Sequence, residues 1–208
     1  MEKYIIAVDM DGTLLNSENK ISERNRNVLQ RLIDDGHYVV PATGRTRELI
    51  PQEFSVLRGV KWGIVENGCV VWDYDKNEMI WRKTMPKGMV SKILKDVENS
   101  GAKGWIAEAY ANGIAYSDAD ARDYVASVAD KALLEKTFVD YFLSRHEYVK
   151  DFYHQEDILD QAEKINIYFD DMETSRALRE KWKDLDDVVV TTSCLLYTSP
   201  SPRDRTRS

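Results

Sequence analysis

The chain has 208 residues, a net charge of −7 and 43% hydrophobic residues. This is an ordinary globular composition, long enough for one large domain or two small ones. The acidic balance argues against a nucleic-acid surface, and no apolar run approaches the length of a membrane span. Cys69 and Cys194 are the only cysteines, too few for a disulfide framework, and a reducing cytoplasm is the simplest compartment.

A short apolar run, Tyr4 to Val8, reads as a buried first strand, and no signal peptide is expected before it. Asp9 and Asp11 follow, two residues apart, before the Gly12-Thr13 turn. In an extended segment residues i and i+2 project to one side, so both carboxylates are expected to face one pocket. Like charges that close need a cation, a shared proton or strong hydrogen bonding. A hard ion such as Mg2+ is the usual solution beside a phosphate substrate. An EF-hand calcium loop also opens Asp-x-Asp, but its sixth position is glycine and its twelfth glutamate, where this chain has Leu14 and Lys20.

Further along, Ser22 caps a helix running to about Asp35, with Val28, Leu29, Leu32 and Ile33 on one face and Gly36 as its stop. His37 to Pro41 is strand two, a helix is expected to begin near Thr46, and Trp62 to Val65 is strand three. This alternation predicts a parallel sheet with helices on its faces. Ligands of such sheets lie beyond the carboxyl ends of the strands. Thr43 and Gly44, at the end of strand two, are therefore expected beside Asp9. The Thr43 hydroxyl is a neutral donor for a phosphoryl oxygen, and Gly44 lets backbone N–H come close. The helix near Thr46 would add its positive end.

The pattern then changes. Cys69–Trp72 and Met79–Lys83 read as a hairpin, Pro86 opens a helix that Gly101 closes, and Asn112-Gly113 joins two strands. Helical segments are expected from about Asp118 to Tyr148, a strand at Lys164–Phe169, a helix at Glu173–Trp182 and a final strand at Val188–Thr192. Mixed hairpins and helices suggest a separate α+β unit. The division expected is a core at 1–83, an α+β unit at 84–192 and a tail at 193–208. His37, His146 and His154 lack metal-ligand spacing and read as surface or packing residues.

Val8-Asp-Met-Asp-Gly-Thr-Leu-Leu15 resembles the first motif of the haloacid dehalogenase-like (HAD) phosphohydrolases, and Ala42-Thr-Gly-Arg45 resembles the second motif of their Cof-type members. The resemblance implies an α/β fold, a Rossmann-like core with an inserted α+β cap of type IIB. It implies that Asp9 is the nucleophile forming an aspartyl-phosphate and that Asp11 is the general acid and base. Mg2+ would be held by the Asp9 carboxylate and the Asp11 carbonyl. Phosphate binding falls on Met10, Thr43 and Gly44, while Arg45 and Asn67 are candidates for substrate contact or support. The expected substrate is a small-molecule phosphate monoester, such as a sugar, nucleotide or cofactor phosphate. Cap residues in Glu108–Tyr116 or Lys164–Tyr168 are expected to meet the leaving group.

The family's later lysine and its Gly-Asp-containing acidic segment have no counterpart here. The Ser-, Pro- and Arg-rich stretch from Cys194 to Ser208 resembles translated vector sequence. A truncated core with an exposed first strand, low activity and a tendency to aggregate are the expectations that follow. The rival readings are a sugar-phosphate phosphatase or phosphomutase of the same cap type, which differ in cap residues and in whether water or a sugar hydroxyl accepts the phosphoryl group, and a non-catalytic phosphate- or partner-binding protein. A receiver domain would need an acceptor aspartate after a later strand, where Glu66-Asn67-Gly68 stands instead.

Overall fold

A computed structural model describes residues 2–16, 20–50, 54, 57–129 and 136–191. The tail expected at 193–208 lies outside them. The chain divides into two compact units. The first is Met1–Thr84 with Tyr110–Ile114 and Gln161–Lys164; the second is Met85–Ala109, Ala115–Asp160 and Ile165–Ser208.

The first unit is built on strands β1 (Ile5–Val8), β2 (Tyr38–Pro41) and β3 (Trp62–Val65), followed by the hairpin strands β4 (Val70–Asp73) and β5 (Glu78–Arg82). β1 and β2 pair in parallel from Ile5↔Tyr38 to Val8↔Pro41. A parallel bridge between Ala42 and Ile64 carries the sheet on to β3. β3, β4 and β5 pair antiparallel in sequence order. The crossover from β1 to β2 is helix α1 (Glu23–Asp34), whose first turn is closed by the Ser22 hydroxyl accepting from the Asn25 N–H at 3.2 Å. Leu29 of α1 packs with Met10, Leu14, Leu15, Ile21, Val39, Phe54 and Leu57. Side chains buried this fully contribute roughly 1.5–3 kcal/mol each.

The helix expected near Thr46 is a single 3₁₀ turn, Arg47–Leu49. Pro51 follows one residue later, and a residue before proline is driven out of the α region; Ile50 is extended at φ −68°, ψ 128°. Thr46 therefore supplies no helix dipole.

A further sheet of order β8-β7-β6-β9 is made of β6 (Trp105–Ala111), β7 (Ile114–Asp118), β8 (His146–Val149) and β9 (Ala162–Phe169), all in the second unit except the residues of Tyr110–Ile114 and Gln161–Lys164. Asn112 and Gly113, both at positive φ (56° and 80°), form the β6–β7 turn. Helix α2 (Met89–Asn99) packs on α6 (Met172–Trp182) through Ile93, Val97, Leu178 and Trp182. Helices α3 (Ala119–Ala129) and α4 (Lys136–Arg145) meet at Val125, Val139 and Phe142, and α5 (Glu156–Leu159) is one turn. Two expectations fail here. His146–Val149 is a strand paired in parallel with β7 rather than the end of a helix. Val188–Thr191 is not a strand, and Val189 is 88% exposed; Thr192 lies outside the described residues. No helix among the described residues is long and apolar enough to cross a membrane.

Candidate active site

β1 ends in a wide turn rather than a helix. Asp9 is extended (φ −71°, ψ 147°), Asp11 is extended (φ −75°, ψ 120°) and Gly12 is left-handed (φ 72°). The Leu15 N–H closes the turn on the Met10 carbonyl at 3.0 Å. Burial alternates through it: Met10 is fully buried, while Asp9 and Asp11 are exposed. With its side chain in the core, Met10 can offer a ligand only its backbone. The Thr13 hydroxyl donates to Asp9 Oδ2 at 2.6 Å, the partner of Asp9 among the described residues. The Arg45 guanidinium grips Asp11 with both edges, Nε to Oδ2 at 3.0 Å and Nη2 to Oδ1 at 2.6 Å. A third donor, Nη1, fixes Arg45 to the Leu49 carbonyl at 3.0 Å.

β2 delivers the neighbouring loop. The Ala42 N–H reaches the Val8 carbonyl at 2.9 Å, and the Thr43 N–H reaches the Ile64 carbonyl at 3.0 Å. These bonds set Thr43 at the same sheet end as Asp9. Thr43 is buried and its Oγ1 accepts from the Arg45 N–H at 3.2 Å, so the hydroxyl proton remains to be donated. The Gly44 N–H has no partner among the described residues. A Cβ on Gly44 would stand 2.4 Å from Asn67 Oδ1, so Asn67 packs directly on this loop. Arg47 lies with its guanidinium 4.5 Å from the Trp72 ring centroid and is used there.

Two residues of the first unit enter this neighbourhood without a motif to announce them. Glu66, after β3, is buried, and its Oε2 meets no hydrogen-bond partner among the described residues. Burial and the nearby Glu163 push its carboxyl up to about 7, against the pull of Lys164. Lys164, at the start of β9, donates from Nζ to the Gly44 carbonyl at 3.0 Å. A buried glutamate within a turn sequence and a lysine 120 positions from its acceptor leave no local signature. Lys164 opens one of the stretches expected to meet the leaving group, but its hold on Gly44 is visible only in the tertiary structure.

Residues 6–195 match the family of haloacid dehalogenase-like hydrolases. The chain belongs to that family. Among curated relatives, a 5-amino-6-(5-phospho-D-ribitylamino)uracil phosphatase of Bacillus subtilis, YcsE, is 41% identical over 81 residues, 39% of this chain and 32% of its own. Phosphatase YwpJ of the same organism is 27% identical over 175 residues, 79% of this chain and 59% of its own. The chain thus spans about a third to three fifths of the length of these relatives. In structure, the HAD subclass IIB sugar phosphatase BT4131 aligns over 86% of this chain and 62% of its own, with a TM-score of 0.61 at 16% identity. That likeness is one of fold, and the expected α/β HAD fold is the one observed.

Family members of this kind imply a metal, and the donors here suit one in kind. Asp9 Oδ1, which has no hydrogen-bond partner among the described residues, and the Asp11 carbonyl are hard oxygens. Mg2+ binds through one or two carboxylates and otherwise keeps water and phosphate oxygens. No cluster of three His, Cys, Asp or Glu side chains fit for a metal occurs among the described residues. Elsewhere, Glu108 lies at the centre of the second unit, its oxygens taken by His146, Asn166, Tyr168 and Tyr141. It has no capacity left for a leaving group. His146 is buried, with one ring nitrogen on Glu108 and the other on the Phe142 carbonyl at 2.9 Å.

Proposed function

We propose that this chain carries the nucleophile and phosphate-binding portion of a Mg2+-dependent phosphatase acting on small-molecule phosphate monoesters. The observation that carries the reading is that one sheet end bears Asp9, Asp11, the Thr43 hydroxyl and the Gly44 N–H, the last without a partner among the described residues. A carboxylate nucleophile, a second carboxyl for proton transfer and two neutral donors suit a transferring phosphoryl group, whose negative charge the donors and a bound cation would meet.

Asp9 Oδ1 attacks phosphorus, the bond from phosphorus to the leaving oxygen breaks, and Asp11 gives that oxygen its proton. Water then yields a proton to Asp11 and attacks the same phosphorus, which frees inorganic phosphate and restores Asp9. Mg2+, when bound at Asp9 and the Asp11 carbonyl, supplies charge neutralisation. Thr13 holds the unreactive oxygen of Asp9 and so aims the other. Arg45 must release Asp11 before that carboxyl can carry a proton, because a carboxylate held at both oxygens by a guanidinium only accepts. The freed guanidinium is then available to a phosphate oxygen. The ribitylamino-uracil phosphatase among the relatives favours a polyol or sugar phosphate as substrate.

Binding without turnover is the second reading, and the grip of Arg45 on Asp11 favours it. The two separate in one experiment. The chain is incubated with MgCl2 and beryllium fluoride, a mimic of an acyl phosphate, and followed by 19F NMR. A bound fluoride signal that Asp9→Asn removes supports covalent chemistry at Asp9. No such signal at any Mg2+ concentration would sink it.

A further inference from the structure

The loop of Thr43, Gly44 and Arg45 is held from behind by three donors, one for each carbonyl. The Asn67 N–H takes Thr43 O at 3.1 Å, Lys164 Nζ takes Gly44 O at 3.0 Å and the Glu66 N–H takes Arg45 O at 2.9 Å. In a planar trans peptide the carbonyl and the following N–H point in opposite directions. Fixing Thr43 O therefore aims the Gly44 N–H away from Asn67, where it meets no partner among the described residues. Fixing Gly44 O aims the Arg45 N–H away from Lys164 and onto Thr43 Oγ1 at 3.2 Å. That bond in turn leaves the Thr43 hydroxyl to donate outward.

Two of the donors are backbone groups of one turn. Glu66, Asn67 and Gly68 all have positive φ (53°, 58° and 90°). The third is a side chain, and its position is over-determined. The Lys164 ammonium lies 4.8 Å from the centroid of the Tyr110 ring and is drawn by the Glu66 carboxyl. Glu163 is engaged elsewhere, by Arg82 Nε at 2.9 Å and by the Asn112 N–H at 3.2 Å.

We propose that Lys164 is a positioning residue of the phosphate loop. By holding the Gly44 carbonyl it orients the Arg45 N–H and, through it, the Thr43 hydroxyl. Lys164 need not touch the substrate. The proposal rests on the phosphate-binding reading of the site and names a residue of the chain outside both motifs.

The test is titration of inorganic phosphate, with MgCl2 present, by calorimetry and by 1H–15N NMR on the full 208-residue chain. Loss of one charge-assisted hydrogen bond in Lys164→Met should weaken phosphate roughly ten-fold. It should also shift the Arg45 amide resonance while leaving the thermal midpoint in place. Lys164→Arg should restore most of the affinity. If Lys164→Met binds phosphate as the unsubstituted chain does, this proposal alone is overturned. If Lys164→Met lowers the thermal midpoint and Lys164→Arg restores neither property, Lys164 is structural and the proposal is equally lost. If the unsubstituted chain binds no phosphate, the reading of the site falls and takes the proposal with it.

Discussion

Arg45 holds both carboxylate oxygens of Asp11, at 3.0 and 2.6 Å, across 34 positions of sequence. The pair joins the loops that end β1 and β2, and it keeps the expected general acid occupied. Half-exposed ion pairs of this kind add little to stability, less than about 1 kcal/mol. Arg45→Met should therefore leave the thermal midpoint almost unchanged. It should weaken inorganic phosphate several-fold, since the same guanidinium is proposed to turn to phosphate. Tighter phosphate binding in Arg45→Met, measured by calorimetry, would show that the grip on Asp11 is purely inhibitory.

Gly44→Ala probes the close approach of Asn67. The new Cβ falls 2.4 Å from Asn67 Oδ1. Because that atom ends a short side chain, Asn67 can swing aside at modest cost to stability. The expected result is a near-native urea midpoint with weakened phosphate binding. The double variant Gly44→Ala, Asn67→Ala should show non-additivity in binding, as contacting residues do.

Glu108 governs the acid stability of the second unit. Burial pushes its carboxyl up, but the His146 hydrogen bond and charge, with the Tyr168 and Asn166 donors, outweigh this and hold it down to about 2. A folded value below the unfolded one contributes stability that is present above about 4.5 and lost as pH falls through about 2. The contribution is on the order of 3 kcal/mol. Glu108→Ala should destabilise by about 3–5 kcal/mol at neutral pH, because His146 is left buried without its partner. Urea unfolding followed by tryptophan fluorescence at pH 3 and pH 7 measures both effects.

Glu66 has the opposite sign. Its folded value of about 7 stands above the ordinary 4.5. Its contribution is complete below 4.5 and disappears as pH rises through 7. Glu66→Gln should flatten the pH dependence of stability between those limits. At pH 8 it should stabilise the chain by up to roughly 3 kcal/mol, the cost of ionising a buried carboxyl. An unchanged slope of unfolding free energy against pH would refute the assignment.

Ile5 of β1 is 71% exposed, and β1 pairs only with β2 among the described residues. An open apolar edge is a template for intermolecular pairing. Ile5→Lys should lower light scattering on incubation without loss of helical circular dichroism.

Much of this was legible in advance. The alternation at Val8-Asp-Met-Asp, apolar inward and acidic outward, is local, and so are the Ser22 cap, the Gly36 stop and the Asn112-Gly113 turn. Trp62–Val65 was readable as a strand because its apolar run is bounded by turn residues. The errors fell where pairing or a neighbouring residue decided the outcome. Ile50, before Pro51, is extended and ends the turn after Thr46, β7 drew His146–Val149 into a strand, and Val188–Thr191 pairs with no strand among the described residues.

The amino-acid order by itself set the acid pair, the Thr-Gly loop and the succession of strands and helices, because backbone preference and side-chain period act over a few residues. Which groups stand behind that loop was decided only by the folded chain. Lys164 meets Gly44, Arg45 meets Asp11 and Glu66 loses its water through contacts between distant segments. Burial, charge and hydrogen bonding across such distances are properties of three-dimensional packing, and no short window of sequence contains them.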